Sequence, residues 1–523
     1  MNPTDPPRYR RQPGPTGASP SDPRIDVEAV RQHFAFVARG RIVTNNAAST
    51  QPPRELLALY RSLAPDYESV HRSASPAARA MGRRLDEAYA TVAQFLNAPK
   101  PECVVFYRNT TEAINAVMYS LLGELESGDN VVATLMEHNS NYVPWYALCR
   151  EILPRFGINV ECRLARFDQH GKLDLNHLAS LIDRRTKLVS VCGASNFFGT
   201  KNPLAIVREL ARGSGYRQPN GSLGSLFVVD GAQLAPTAAV DVQALDVDFF
   251  AFSMHKMLAP FGVGILCAKE ELLRSARPFL YGGGMIAEGR VSAEHVEYGD
   301  LPHKFSAGTP NLLGSIVSAE SLRLLVDLAL DPRNPRYFCA TMPLAREDVE
   351  RAMRAIEQHT RALTELAMSR LREIPGLTLY GPQEPSQRTP LVSFNVEGHN
   401  PLELAERLGE LGVEARAGCH CATLAHRALG LDPPASCRLS FYVYNTIADV
   451  EHAVGALREI VMPSQPTRRE GRRAHAITLV SADGRRETSQ KGDGGANQRN
   501  DSPERSGIQR AFSAPRPPLR ISW

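Results

Sequence analysis

Between residues 100 and 270 two hydrophobic patterns take turns. Short, mostly apolar runs rich in Val and Phe fall at 103–107, 130–136, 159–165, 187–192, 226–230 and 247–252, with a glycine-punctuated partner at 262–267. Runs of this length and composition predict buried strands. Between them, stretches at 108–115, 175–183 and 203–211 read as helices. A long amphipathic helix is expected before them at 77–96, and others at 26–36, from Pro52, at 313–330 and at 344–374. Such alternation calls for an α/β fold: a mostly parallel sheet with helices on both faces. From Leu377 the rhythm changes. A strand at 391–396, a helix at 401–411, strand-like residues 413–415, a strand at 437–442 and a helix at 447–461 predict a smaller α+β unit. The expected organisation is a disordered tail (1–25), a large domain (26–375), a small domain (376–463) and a disordered tail (464–523) with a transient strand at 476–480.

Polar clusters follow the strands: Arg108-Asn109-Thr110-Thr111, Glu137-His138, Ser195-Asn196, Asp230 and Ser253-Met254-His255-Lys256. In an open parallel sheet the ligand crevice lies at the strands' carboxyl ends. The Thr110-Thr111 pair opens a helix, where free N–H groups and the helix dipole attract an anion; either threonine also serves as a plain N-cap. His138 reads as a ring able to stack on a cofactor, or as a hydrogen-bonded loop histidine. Lys256, on a turn between strands, can form a Schiff base with an aldehyde, and Asp230, 26 residues earlier, can hold a protonated pyridine nitrogen. Pyridoxal phosphate asks both of a protein. Taken singly, the two also read as a surface lysine and a strand-capping acid.

Composition narrows the field. The 523 residues are 43% hydrophobic and 22% charged, ordinary for a soluble globular chain. No apolar run is long enough for a membrane span, and residues 1–24 lack an apolar signal core. Nine scattered cysteines suit a reducing compartment, so a cytoplasmic protein is expected. The net charge of +4 is uneven: residues 465–523 carry twelve Arg/Lys against six Asp/Glu, residues 1–25 four against two, and the rest is net −4. A nucleic-acid role for the folded part has no support.

Several motifs occur together and in order: Asn46-Ala47-Ala48, His71-Arg72, Thr110 to Asn115, Glu137-His138, Val143-Pro144-Trp145, Asp230-Gly231-Ala232-Gln233, Ser253 to Lys256, Ala307 to Asn311, Arg416 to Ala422 and Cys437-Arg438. Together they resemble the class V, fold-type I pyridoxal-phosphate enzymes, most closely the group II cysteine desulfurases and selenocysteine lyases, over residues 26–463. The resemblance implies that Lys256 carries the cofactor, Asp230 pairs with its ring nitrogen, Gln233 meets its hydroxyl and His138 stacks on it. It further implies that Thr111, Ser253 and His255 hold the phosphate, joined by Thr309 from the second subunit of a homodimer. Asn196 and Arg438 would hold the substrate carboxylate, and Arg72 and Arg416 match active-site arginines.

Cys421 aligns with the nucleophilic cysteine, its thiol acidified by Arg416 or His420. The implied reaction takes sulfur from L-cysteine as a persulfide on Cys421, releasing alanine and passing sulfur to an acceptor protein. Metal binding by Cys419-His420-Cys421 is not expected, since no second Cys/His pair has zinc-site spacing. The family's Glu-His-His-Ala-Asn, His-Arg-Gly, Phe-Glu-Ala-Gly-Thr and Leu-Asp-Asn-Ala-Ala appear here as Glu137-His138-Asn139-Ser140-Asn141, His71-Arg72-Ser73, Phe305-Ser306-Ala307-Gly308-Thr309 and Val43-Thr44-Asn45-Asn46-Ala47-Ala48. An aminotransferase, epimerase or C–S lyase acting on another amino acid is the alternative. A non-catalytic scaffold is the third reading.

Overall fold

The computed structural model describes residues 24–70 and 74–462. Arg72 with its neighbours and most of both tails, the expected strand at 476–480 included, lie outside these residues. All described residues belong to one compact unit.

Seven strands form the central sheet: β1 Val104–Tyr107, β2 Asn130–Thr134, β3 Glu161–Ala165, β4 Thr186–Cys192, β5 Leu226–Asp230, β6 Phe249–Ser253 and β7 Gly264–Ala268. Their order is β1-β7-β6-β5-β4-β2-β3. All run parallel except β7, which is antiparallel to both of its neighbours. β4, β5 and β6 are buried along their whole length, as expected of a sheet covered on both faces.

Helix α1, Pro76–Leu96, starts where Ser75 caps Ala78 N at 3.0 Å with proline in the first turn, and it ends at Asn97 in the left-handed region. Its buried residues Ala78, Met81, Leu85, Ala88, Val92 and Phe95 recur every three or four positions, the stripe a core-facing helix needs. The expected helix at 26–36 stops at Arg31. Phe34 and Phe36 both pack on Tyr444, with ring centroids 4.7 and 5.0 Å away. Residues two apart point to different sides of a helix, so the chain has to leave it for both rings to reach one partner.

Helix α2, Arg346–Arg372, connects the central sheet to a second, antiparallel sheet. That sheet comprises β8 Leu377–Tyr380, β9 Leu391–Val396, β10 Arg416–Gly418 and β11 Ser436–Ser440, in the order β8-β9-β11-β10. Leu363, Met368, Phe394, Leu404, Leu439 and Leu457 belong to its own core. Ile42–Val43 pairs with Val413–Glu414, and Ser440 N donates to Thr44 O at 2.6 Å. These bonds tie Asn46-Ala47-Ala48 to the second sheet. Among the described residues no helix is long and apolar enough to cross a membrane.

Candidate active site

The parallel strands and β1 end on the same side of the central sheet, and the second sheet supplies the opposite wall of a cavity of about 290 Å³. It brings together Thr111, His138, Asn196, Asp230, Gln233, Ser253, His255, Lys256, Arg416, Cys421 and Arg438. These come from seven separate stretches of sequence. Thr309 is not among them; it lines a separate cavity of about 280 Å³ with Tyr89 and His303.

One end of the cavity suits an anion. An 11-residue helix, Thr110–Ser120, starts there, capped by Asn109 Oδ1, which accepts from Glu112 N at 2.9 Å. Ser253 Oγ accepts from Thr110 N at 2.8 Å and bonds Thr110 Oγ1 at 2.6 Å. Thr111 Oγ1 bonds Ser140 Oγ at 2.6 Å. Gly264 makes this arrangement possible: a Cβ there would lie 2.4 Å from the Asn109 backbone. Burial holds the His255 imidazole neutral, its pKa pushed down to about 4.

At the centre, Asp230 ends β5 and Lys256 follows the adjacent parallel strand β6. Asp230 Oδ1 accepts from Ala232 N at 2.9 Å. Burial raises its carboxyl pKa, although this bond and Lys256 pull the other way. Lys256 borders the cavity, yet its enclosed amine is pushed down to about 8 by desolvation, with Arg438 and Arg416 adding to the effect and Asp230 opposing it.

His138 Nδ1 accepts from Ser140 N at 3.0 Å, which leaves the proton of the neutral ring on Nε2 by assignment from the hydrogen bond. Desolvation, followed by Lys256 and the two arginines, brings its pKa to about 3. Beneath it, Glu137 accepts from Thr134 Oγ1 at 2.7 Å and Asn141 Nδ2 at 2.6 Å. Burial raises this carboxyl to about 7.

Arg438 on β11 stands opposite Arg416 on β10. Two like charges in direct register are unfavourable. Arg438 is 2% exposed, and burial first, then Arg416, lowers its guanidinium to about 9. Its Nη1 donates to Asn196 O at 2.6 Å, while its Nε is buried without a partner among the described residues. Arg438 lines the cavity, so an entering carboxylate would meet its guanidinium. Asn196 Nδ2 donates to His420 O at 2.5 Å, which uses one of its two N–H groups and leaves the other as a donor. It also braces Arg438 through its backbone carbonyl.

Cys421 sits on the turn after β10. His420 and Cys421 have φ of 50° and 57°, a region that costs non-glycine residues energy unless the surroundings impose it. Here they do: Asn139 N donates to Cys421 O at 2.6 Å, Asn196 holds His420 O, and Ala422 N donates to Cys419 O at 2.8 Å. His426 Nδ1 lies 2.9 Å from Ala422 O, an acceptor, so that nitrogen carries the proton. Ser436 Oγ then donates to His426 Nε2 at 3.0 Å and accepts from His420 Nε2 at 3.1 Å. His420 is left neutral, its Nδ1 buried without a partner, and burial with Arg438 beside it holds its pKa well below the usual value. The expectation that His420 lends Cys421 a positive charge therefore fails, which leaves Arg416 of the two.

These features fit pyridoxal phosphate. A turn lysine with a weakened proton affinity, a buried acid one strand away, a helix N-terminus on the same cavity, and a neutral flat ring are the donor set it requires. When bound, the cofactor supplies an electron sink for bonds at an amino acid's Cα. Among the described residues no cluster of three or more His, Cys, Asp or Glu side chains could hold a metal.

Fold and site together define a fold-type I pyridoxal-phosphate enzyme. The family model for class-V aminotransferases matches residues 42–334 and 347–452, and the chain belongs to that family. It is 37% identical to a probable cysteine desulfurase of Halobacterium salinarum, over 83% of this chain and 96% of that protein. It is 35% identical to a cysteine desulfurase of Cronobacter sakazakii, over 80% and 92%. The crystal structure of the cysteine desulfurase CsdA from Escherichia coli matches with a TM-score of 0.70 at 29% identity, covering 84% of this chain and 100% of that one.

Ser140, Cys192 and Asn109 also line the cavity and were not picked out as site residues. Ser140 could have been found from its place directly after the His138 motif. Cys192, at the end of an apolar strand, carries no distinguishing signal.

Proposed function

We propose that this chain is a pyridoxal-phosphate-dependent cysteine desulfurase. The observation that carries the reading is the convergence of Lys256, Arg438 and Cys421 on one cavity, together with relatives named cysteine desulfurase along nearly their whole length. Arg438, with Arg416 opposite, takes the substrate carboxylate; a guanidinium fork suits that planar anion. Lys256 holds the cofactor and, once free, moves a proton at Nζ, which a pKa of about 8 allows near neutrality. His138 packs its neutral ring against the cofactor, and Nε2–H is available to donate. Thr111, Ser253 and His255 hold the phosphate, and Gln233 meets the ring hydroxyl.

Cys421 Sγ, as thiolate, attacks the substrate sulfur. The C–S bond breaks, the S–S bond forms, the carbon left behind takes a proton, and alanine leaves with Cys421 as a persulfide. A thiol of an acceptor protein then collects the sulfur. The rigid turn serves this step by fixing where Sγ points.

The protein acts in the cytoplasm as a homodimer in which the Thr309 cavity of one copy adjoins the site of another, with Thr309 completing the phosphate cradle; Arg72 joins the substrate side. The reading is supported by Thr309 lining a different cavity from Thr111 and Ser253.

Mass spectrometry after incubation with cysteine tests the central claim. One extra sulfur atom on the Cys421 peptide, alanine as product, and loss of both in Cys421→Ala are expected. Full desulfuration by Cys421→Ala would overturn it.

A further inference from the structure

A second, much smaller cavity lies behind Lys256. Its volume is about 20 Å³, and Gln233, Ser440, Phe441 and Tyr442 are among its walls. Ala47, Gln233 and Lys256 line both this space and the main cavity, so they form the partition between the two. Gln233 Nε2 donates to Ala47 O at 2.8 Å and braces that partition. The space is the size of one water molecule.

An occupant needs polar partners, and the wall has one to spare. The Tyr442 hydroxyl is buried and bonded to nothing among the described residues, while its ring is 1% exposed and packed edge-on against Tyr444. A buried hydroxyl left unmade is costly, so a phenylalanine would serve better if only packing mattered. On the other side, Lys256 lines the same small space. One water would satisfy both groups.

We propose that this rear cavity holds a single ordered water that links Tyr442 Oη to Lys256 Nζ, making Tyr442 a positioning residue for the active-site lysine. The water accepts from the lysine ammonium and is held in place by the phenol. It gives Nζ a resting partner on the side of the smaller cavity whenever the amine is free. The proposal rests on Lys256 being the reactive lysine, and not on cysteine being the substrate. Other charged or titratable groups reach Lys256 from the main cavity: Asp230 on β5, His138 after β2, His255 beside it, and Arg416, Arg438 and Cys421 from the second sheet. None of them lines the rear cavity, so a change confined to Tyr442 isolates the water.

Two measurements test it. A crystal structure of the wild-type protein with the Lys256 amine free, at a resolution that shows ordered water, should contain one peak within hydrogen-bond distance of both Tyr442 Oη and Lys256 Nζ; a dry cavity overturns the proposal. In Tyr442→Phe the ring volume is kept and the hydroxyl lost. The pH midpoint for capture of pyridoxal phosphate by the apoenzyme should fall by about one unit, because the ammonium loses an acceptor. An unchanged midpoint in a folded Tyr442→Phe protein means that the phenol only fills space, and overturns the proposal. Absence of desulfuration in the wild type would leave both readouts intact, so failure of the cysteine reading is separately visible.

Discussion

Strip the protein of cofactor, add pyridoxal phosphate at a series of pH values, and the speed at which the visible band grows should report the Lys256 amine. Only the neutral amine attacks an aldehyde. An ordinary lysine at 10.5 would be neutral in about 0.03% of molecules at pH 7. Enclosure lowers this one to about 8, which makes about 9% neutral, a gain of roughly 300-fold, equivalent to about 3 kcal/mol. The capture rate should therefore rise with unit slope up to about pH 7.5 and flatten near pH 9. Stopped-flow absorbance on apoenzyme, with Lys256→Ala as the blank, measures it. A rate still climbing with unit slope at pH 9.5 would refute the reasoning, because it would mean that the amine is solvated like a surface lysine and that desolvation does not govern it.

Gly264→Ala should weaken pyridoxal phosphate about 10- to 100-fold, the loss of a hydrogen bond or more to a charged group, since the added Cβ pushes Asn109 and the helix start off the strand; a spectrophotometric binding titration checks it. Arg438→Lys keeps the charge and loses the fork, and kcat/KM for cysteine should fall roughly 10- to 100-fold in steady-state assays. Acid should destabilise the fold between pH 6.5 and about 4: His138 and His255 have folded pKa values of about 3 and 4, below the unfolded value, so their contribution is present above 6.5 and is lost as pH falls and the unfolded chain takes up protons. Glu137, raised to about 7, works in the opposite direction between 7 and 4.5 and blunts the loss, and denaturant midpoints at pH 7 and 5, with Glu137→Gln for comparison, separate the two.

The middle of the central sheet was legible because strands such as β4, β5 and β6 are buried along their whole length, so apolar runs mark them; the edge strand β3, Glu161–Ala165, is partly exposed and carries a weaker signal. The second sheet was only half legible. β9 and β11 were expected, β9 from its mostly apolar run and β11 from the run after Cys437, but β10 is Arg416-Ala417-Gly418, a triplet with no alternation, held as a strand by its pairing with β11. β8, Leu377–Tyr380, alternates properly but is four residues long, and the exposed hairpin Ile286–Val291 with Val296–Tyr298 buries too little to leave a hydrophobic trace. Site residues were found where chemistry or a motif singled them out, as with Lys256, Asp230 and Cys421. What the sequence could not supply was partnership: that Asn196 spends one amide N–H on His420, and that the bonds through Ser436 leave His420 uncharged, depend on three segments meeting in space.

That neutral histidine changes how the site must work. Arg416 and Arg438 face each other in register, and Lys256 adds a third positive group, so the cavity is cationic before any ligand enters. A protonated His420 would add a fourth charge next to Cys421, at further expense to a buried Arg438 whose own proton affinity is already depressed. The fold avoids this by using His420 as a wedge: its Nε2 anchors to Ser436, its carbonyl to Asn196, and the turn it enforces aims Cys421. Positive charge is thus reserved for the two arginines that a carboxylate and a phosphate-bearing cofactor can neutralise when they arrive. Asp230 already opposes the charge on Lys256, so the two arginines are the cations left for incoming anions to balance.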